Sequence, residues 1–265
     1  MILISHEVPE QLLDQSLQFN DYNYCLVHLC ETRPLYYDFY KRSRVNNKEL
    51  LLDNSIFELG KAFDPVKFAQ YIDELSPTYY VIPDSLENAE ETITSYKNFI
   101  RNYPGLNGAK IGVVQGKTYH ELVECYKFMS DNADYIALSF DLSFYQYIGT
   151  GNTKLERQCS GRIRFIDNLY REDIINHSKP HHLLGCSLAK EFRYYTNNSY
   201  SFIRSCDTSN PIVAGMLGIQ YSGEFGLQTK PSIKLADMID RKVTEVEWNN
   251  IKYNVANFKK IVNGI

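Results

Sequence analysis

A single (β/α)8 barrel of the TIM type is the fold this sequence predicts, and three observations predict it. The 265 residues suit one barrel of roughly 250 residues better than two small domains. Short apolar runs alternate with amphipathic helical patterns along the chain, as in parallel strands joined by right-handed helical crossovers. The apolar runs also close, one after another, on Asp, Gln or Ser. Polar residues at the carboxyl ends of barrel strands meet at one mouth, where active sites of this fold lie. The chain therefore reads as an enzyme.

Strands are expected at 22–29, 49–54, 79–84, 109–116, 135–141, 181–186 and 202–208. Most are continuous runs rich in Val, Ile, Leu and Tyr, as in parallel strands buried on both faces. Asp53 ends Leu50-Leu51-Leu52-Asp53, Asp84 ends Val81-Ile82-Pro83-Asp84, and Gln115 ends Gly112-Val113-Val114-Gln115. Ser139 and Asp141 end the run from Tyr135, and Asp207 lies in Ser205-Cys206-Asp207-Thr208-Ser209-Asn210-Pro211. The eighth strand is not obvious, and the segment from Ile219 to Leu227 is its expected source.

Helical patterns fill the gaps. Asp64-Pro65 is an N-cap followed by proline at the first helical position, opening Val66 to Leu75. Glu87 to Arg101 reads as a second amphipathic helix, and Thr118 with Glu121 forms a capping box. Val246 to Val262 reads as a closing helix on the barrel exterior. The segment 142–180 is too long for a simple link between strand and helix. It holds Gly149-Thr150-Gly151-Asn152-Thr153 and the cations Arg157, Arg162, Arg164 and Arg171, and is expected to be a long insertion on the functional side. The whole of 1–265 is expected to form one domain.

Composition narrows the function classes. With 44% hydrophobic and 23% charged residues the chain has the balance of a soluble globular protein. A net charge of -4 argues against nonspecific coating of nucleic acid but allows a local basic rim. Tyrosine is abundant at 21 residues and by itself points to no function. The six cysteines include no Cys-x-x-Cys pair and several sit in apolar runs, as reduced buried thiols do. The amino terminus has no basic leader before a long apolar stretch, and no apolar run approaches the ~18 residues of a membrane span. A cytoplasmic, reducing location is expected. No Gly-x-Gly-x-x-Gly or Walker pattern occurs, consistent with the expectation that no cofactor is needed.

Taken in order, five strand-end motifs resemble those of the tRNA-guanine transglycosylase superfamily, and especially its smaller phage relatives that place 7-deazaguanines in DNA. Leu52-Asp53-Asn54-Ser55-Ile56-Phe57-Glu58-Leu59-Gly60 resembles the family's Asp-Ser-Gly-Gly-Phe-Gln segment. Pro83-Asp84-Ser85 is similar to the strand end that recognises the base. Gly112-Val113-Val114-Gln115-Gly116 is similar to Gly-Ile-Val-Gln-Gly, and His182-Leu183-Leu184-Gly185 to Tyr-Leu-Met-Gly. Phe202 to Thr208 takes the place of the strand bearing the nucleophilic aspartate. The likeness covers roughly residues 50 to 215.

The resemblance implies exchange of guanine for a 7-deazaguanine derivative through a covalent aspartyl-glycosyl intermediate. Asp207 would be the nucleophile and Asp53 the acid/base group. Asp84 would accept from the N–H groups of a guanine-like edge, Gln115 would pair with the ring carbonyl, and Gly116, Ser139 and Asn54 would line the base pocket. Arg157, Arg162, Arg164, Lys190, Arg193 and Lys230 are candidate phosphate contacts, and Phe144-Tyr145-Gln146-Tyr147 either anchors the insertion or offers a stacking face.

The departures matter as well. The family's Cys-x-Cys-x-x-Cys zinc cluster has no counterpart, so no metal and no zinc subdomain are expected, and DNA is favoured over tRNA as the partner. Members of the family often dimerise, so a homodimer is compatible with the resemblance. Other readings stay open. The aspartates could serve an N-glycoside hydrolase or a nucleotide-level base exchanger, or the chain could be a noncatalytic nucleic-acid-binding partner subunit. Locally, Asp207 and Asp84 could be helix caps, Asp53 a strand-end turn residue, and Gln115 a turn-shaping one. His28, His181 and His182 read as structural or exposed residues, not as ligands.

Overall fold

The computed structural model describes residues 1–43, 48–196, 198–222, 226–227, 231 and 233–264. Eight parallel strands form one sheet: β1 (Leu3–His6), β2 (Asn23–Leu26), β3 (Leu50–Asp53), β4 (Tyr79–Val81), β5 (Ala109–Val114), β6 (Tyr135–Leu138), β7 (His181–Leu183) and β8 (Ile203–Thr208). Their spatial order is β1-β8-β7-β6-β5-β4-β3-β2, so from β2 to β8 each strand pairs with the next, β1 pairs with β8, and the sheet curls into a nearly closed (β/α)8 barrel.

The remaining seam lies between β1 and β2, and Asp21 stitches it. Its N–H donates to the Ile4 carbonyl at 2.9 Å, and its Oδ2 accepts from the Ile4 N–H at 2.9 Å. Lys259 holds the other carboxylate oxygen at 2.8 Å. The eighth strand is thus Leu3–His6, paired with β8 in the register Leu3↔Ser205 to His6↔Thr208. The expected source, Ile219 to Leu227, contains no strand among its described residues. A four-residue run that is half Ser and His carries too weak a pattern to stand out. The predicted strand 22–29 also stops early, at Leu26, because the chain turns directly into a helix.

The helices are α1 (Leu13–Ser16), α2 (Val27–Thr32), α3 (Pro34–Ser43), α4 (Ile56–Leu59), α5 (Pro65–Leu75), α6 (Ala89–Asn102), α7 (Tyr119–Asn132), α8 (Ser143–Ile148), α9 (Lys154–Arg171), α10 (Asn210–Met216) and α11 (Glu245–Asn263). The start signals behave as read. Asp64 accepts from the Lys67 N–H ahead of Pro65, and Thr118 with Glu121 makes a complete capping box. The closing helix is α11, itself boxed by Thr244 and Glu247. No helix among the described residues is long and apolar enough to cross a membrane.

The segment 142–180, expected as a long insertion, is mostly helix. Short α8 follows β6, and α9, opened by the Thr153–Glu156 capping box, is the crossover helix leading to β7. The two cross closely at Gly161, where a Cβ would lie 2.0 Å from the Tyr145 carbonyl oxygen. The aromatic run anchors this crossing: Tyr145 is fully buried and packs on Phe165, while Tyr147 alone faces solvent at 87% exposure.

Arg162, on the inner face of α9, is fully buried. Its Nε and Nη2 donate to both oxygens of Glu191 at 2.7 and 2.8 Å. Its Nη1 donates to the carbonyls of Leu138 and Leu184 at 3.2 and 2.7 Å, and the guanidinium lies 4.8 Å from the centre of the Phe140 ring. Arg162 therefore ties the carboxyl ends of β6 and β7 together. Removing one member of a fully buried, hydrogen-bonded ion pair costs about 3–5 kcal/mol. Arg162→Leu is expected to lose that much in urea unfolding, because Glu191 would be left charged without its partner.

Candidate functional site

Asp207 sits near the carboxyl end of β8 with only 3% of its surface exposed. A carboxylate so withdrawn from water must find donors in the protein. Oδ1 accepts from His182 Nε2 at 3.0 Å and from the Gly185 N–H at 3.0 Å, which also reaches Oδ2 at 3.2 Å. Gly185 has φ of +62°, a conformation open to glycine at little cost, and this turn after β7 is what brings its N–H to the carboxylate. Asp207 does not cap α10: the nearby N–H of Asn210 is taken by Thr208 Oγ1 at 3.1 Å.

Behind Asp207 runs a column of polar side chains inside the barrel. His182 Nδ1 meets Ser205 Oγ at 2.9 Å, and Ser205 Oγ meets the Tyr135 hydroxyl at 2.5 Å. The imidazole is fully buried and walled by aromatic rings. Tyr24 stacks on it at 6.2 Å and 19°, while Tyr22 and Tyr135 present edges at 6.3 and 6.5 Å.

Asp53, at the end of β3, is 8% exposed. Its Oδ2 accepts from the Tyr24 hydroxyl at 2.9 Å, and its Oδ1 accepts from the Ser55 N–H at 2.6 Å. It is thus both a strand-end turn residue and part of the mouth. Ser55 holds the left-handed conformation, φ +61°, at a backbone cost that a glycine would avoid. Burial, then the charge of Glu58, push Asp53 well above the usual carboxylate range, with Asp207 adding a smaller push. Glu58 itself is exposed along its length, yet neighbouring protein shields its carboxyl from water. That shielding, with Glu7 and Asp207 nearby, raises it to about 7 against the opposing charge of Lys234.

Beside this acid group lies an amide–carboxylate array. Asp84, 3% exposed, accepts from Asn54 Nδ2 at 2.7 Å and from Gln115 Nε2 at 2.7 Å. Gln115 Nε2 also reaches Ser139 Oγ at 3.2 Å, and Gln115 Oε1 accepts from the Glu87 N–H at 3.0 Å. Burial raises Asp84 while both amide donors oppose the rise. Asp84 does not cap α6, which is capped by Asn88. Gly116 follows at the start of the loop to α7, so close to that helix that a Cβ would sit 2.9 Å from the Glu121 Cβ. Asp53, Asn54, Asp84, Gln115, Ser139 and Asp207 thus close the carboxyl ends of five strands of one barrel.

The cations fare differently. Arg162 is no phosphate contact, because its guanidinium is buried and used up on Glu191 and two carbonyls. Lys190 Nζ meets Glu156 at 2.6 Å. Arg157 and Arg164 donate to the carbonyls of Gly151 and Ile148 within the α8–α9 segment, and Arg193 is exposed on the 3-10 turn Ala189–Tyr195. Lys230 lies outside the described residues.

Tyr24, Glu58, Tyr135 and Ser205, which the sequence reading did not single out, and His182, read there as structural or exposed, complete the surroundings of the two aspartates. Only the strand register reveals four of them. Among the described residues, no group of three His, Cys, Asp or Glu side chains is placed to hold a metal ion. All six cysteines are free and buried. No protein-family model matches the chain, and no curated protein matches it.

The raised Asp53 has a consequence for stability. In the unfolded chain this carboxyl ionises in the ordinary range, whereas in the fold its burial favours the neutral form. Stability is therefore fullest below the ordinary aspartate range and declines as pH rises toward the folded-state value. Asp53→Asn is expected to raise the melting temperature at pH 8, with the gain vanishing near pH 3. A gain independent of pH would contradict this.

Proposed function

We propose that the chain exchanges bases on nucleosides in DNA, releasing guanine and installing a 7-deazaguanine derivative. The observation that carries this reading is the contrast between two aspartates at one mouth. Burial favours the protonated form of Asp53, while Asp207 is met by two N–H donors that suit a carboxylate. A carboxyl held neutral by burial can give a proton, and a carboxylate oriented by donors can attack as a nucleophile.

In the forward step, an Asp207 oxygen forms a bond to the anomeric carbon as the C–N bond breaks. The bonding pair leaves with guanine, which takes the Asp53 proton. The incoming 7-deazaguanine then gives its ring N–H proton to Asp53. Its nitrogen attacks the anomeric carbon, and the Asp207 carboxylate is released. Base recognition falls to Asp84 and Gln115: an N–H edge inserted beside Asp84 would replace amide donors it now accepts, and the freed Gln115 amide can turn to the ring carbonyl. Asn54, Ser139 and Gly116 border that space. In duplex DNA the target nucleotide must first leave the stack.

The burial of Arg162 and the pairing of Lys190 favour a second reading, in which the same carboxyl groups act on a free nucleoside or nucleotide. Nucleoside mass spectrometry after incubation of duplex DNA with the protein and 7-cyano-7-deazaguanine tests both. The first reading predicts a deazaguanine nucleoside in DNA with wild type, none with Asp207→Asn, and a rate lower by about 10²–10⁴-fold with Asp53→Asn. Product confined to free nucleosides or nucleotides would move the substrate to the second reading. Full activity in Asp207→Asn would overturn the covalent route.

A further inference from the structure

We propose that His182 is the positioning residue of Asp207: held as its Nε2–H tautomer by Ser205 and Tyr135, it fixes Oδ1 and leaves Oδ2 to react. The catalytic consequence rests on the base-exchange reading. The tautomer does not.

The local fold brings the three groups together. Pairing of β7 with β8 is irregular, His181 opposing Ile203 while His182 opposes Ser205. The skipped position, Arg204, is exposed. Such an irregularity re-aims side chains, and here it sets Ser205 beside His182, with Asp207 two residues farther along β8. His181 takes a different path, meeting the Tyr126 hydroxyl at 2.9 Å and stacking on that ring.

Proton counting fixes the direction of the column. The Tyr135 phenol carries a proton, and burial reinforces this. Its hydrogen-bond partner is Ser205 Oγ at 2.5 Å. With Tyr135 donating to Ser205, the serine hydroxyl donates to its other neighbour, His182 Nδ1, at 2.9 Å. Nδ1 is then an acceptor, the ring proton sits on Nε2, and it points at Asp207 Oδ1 3.0 Å away. The opposite tautomer would set the Nε2 lone pair against a carboxylate oxygen. A doubly protonated ring would leave Ser205 Oγ accepting from both Nδ1–H and Tyr135, with the serine proton given no acceptor in the column.

The surrounding rings of Tyr22, Tyr24 and Tyr135 hold the imidazole plane, so the donor cannot swing away. Among the described residues, Oδ1 receives both short bonds and Oδ2 the longer one from Gly185. Oδ2 is the oxygen left with free lone pairs for the anomeric carbon. The His182 proton itself is not transferred.

Two measurements on the full chain test this. In ¹⁵N spectra of the imidazoles, assigned with His182→Gln, His182 is expected to show a protonated Nε2 and an unprotonated Nδ1. Ser205→Ala should average the two signals. A protonated Nδ1 in wild type overturns the proposal whether or not the protein turns over. In base-exchange kinetics, His182→Phe is expected to lower kcat about 10²-fold with KM nearly unchanged, as misplacement of a reacting group does. His182→Gln keeps a donor near the Nε2 position and should stay within about tenfold of wild type. If His182→Phe does not fold, Ser205→Ala carries the kinetic test, again through kcat and not KM. A folded His182→Phe with wild-type kcat overturns the positioning role. Absence of exchange by wild type would instead sink the functional reading, leaving the nitrogen spectra to decide the tautomer.

Discussion

A carboxylate kept inside a barrel must be supplied with donors by the protein, and the supply to Asp207 organises much of this molecule. One donor requires the left-handed turn at Gly185 directly after β7. The other requires an imidazole within the barrel, which in turn requires partners for its second nitrogen. Ser205 and Tyr135 meet that need from β8 and β6. Apolar strand interiors cannot do this, so the barrel lumen near β6, β7 and β8 is polar and aromatic. The same layer contains Tyr22, whose hydroxyl donates to the Cys206 carbonyl at 2.7 Å. Burying polar groups is tolerable only when they are satisfied, and this column satisfies each in sequence.

Around the column the mouth is held from outside. Arg162 binds carbonyls at the ends of β6 and β7 and is neutralised by Glu191, and Tyr195 adds a bond to the same carboxylate at 3.1 Å. The strand ends that present Ser139 and Gly185 are thereby fixed relative to one another. On the opposite side, Asp53 shares Tyr24 with the His182 cage, so one ring couples the acid group to the surroundings of the other aspartate. The surroundings of the two carboxyl groups differ: Asp53 meets a phenol and one N–H, whereas Asp207 meets an imidazole and a glycine N–H.

Much of this was legible in the chain. Asp53, Asp84, Gln115 and Asp207 each end an apolar run, and a parallel barrel can only bring such ends to one rim. What stayed hidden has physical reasons. Leu3–His6 is a short, half-polar strand whose pairing depends on β8 and on Asp21. His181 and His182 are adjacent and chemically alike, and only the β7–β8 irregularity sends one to Tyr126 and the other to Asp207. Arg162 looked like its neighbours Arg157 and Arg164, although helical spacing does separate it. It lies four residues after Gln158 and three before Phe165, on the stripe that α9 buries. The abundant tyrosines carried no visible message, yet three of them wall the histidine.

The most direct test of the central claim is to trap the intermediate. The protein would be denatured rapidly during turnover with a guanine-containing DNA duplex, digested, and its peptides mapped by mass spectrometry. The account predicts a sugar–DNA adduct on the peptide containing Asp207 and on no other. Continuing exchange with no adduct, or an adduct on Asp53, would contradict it.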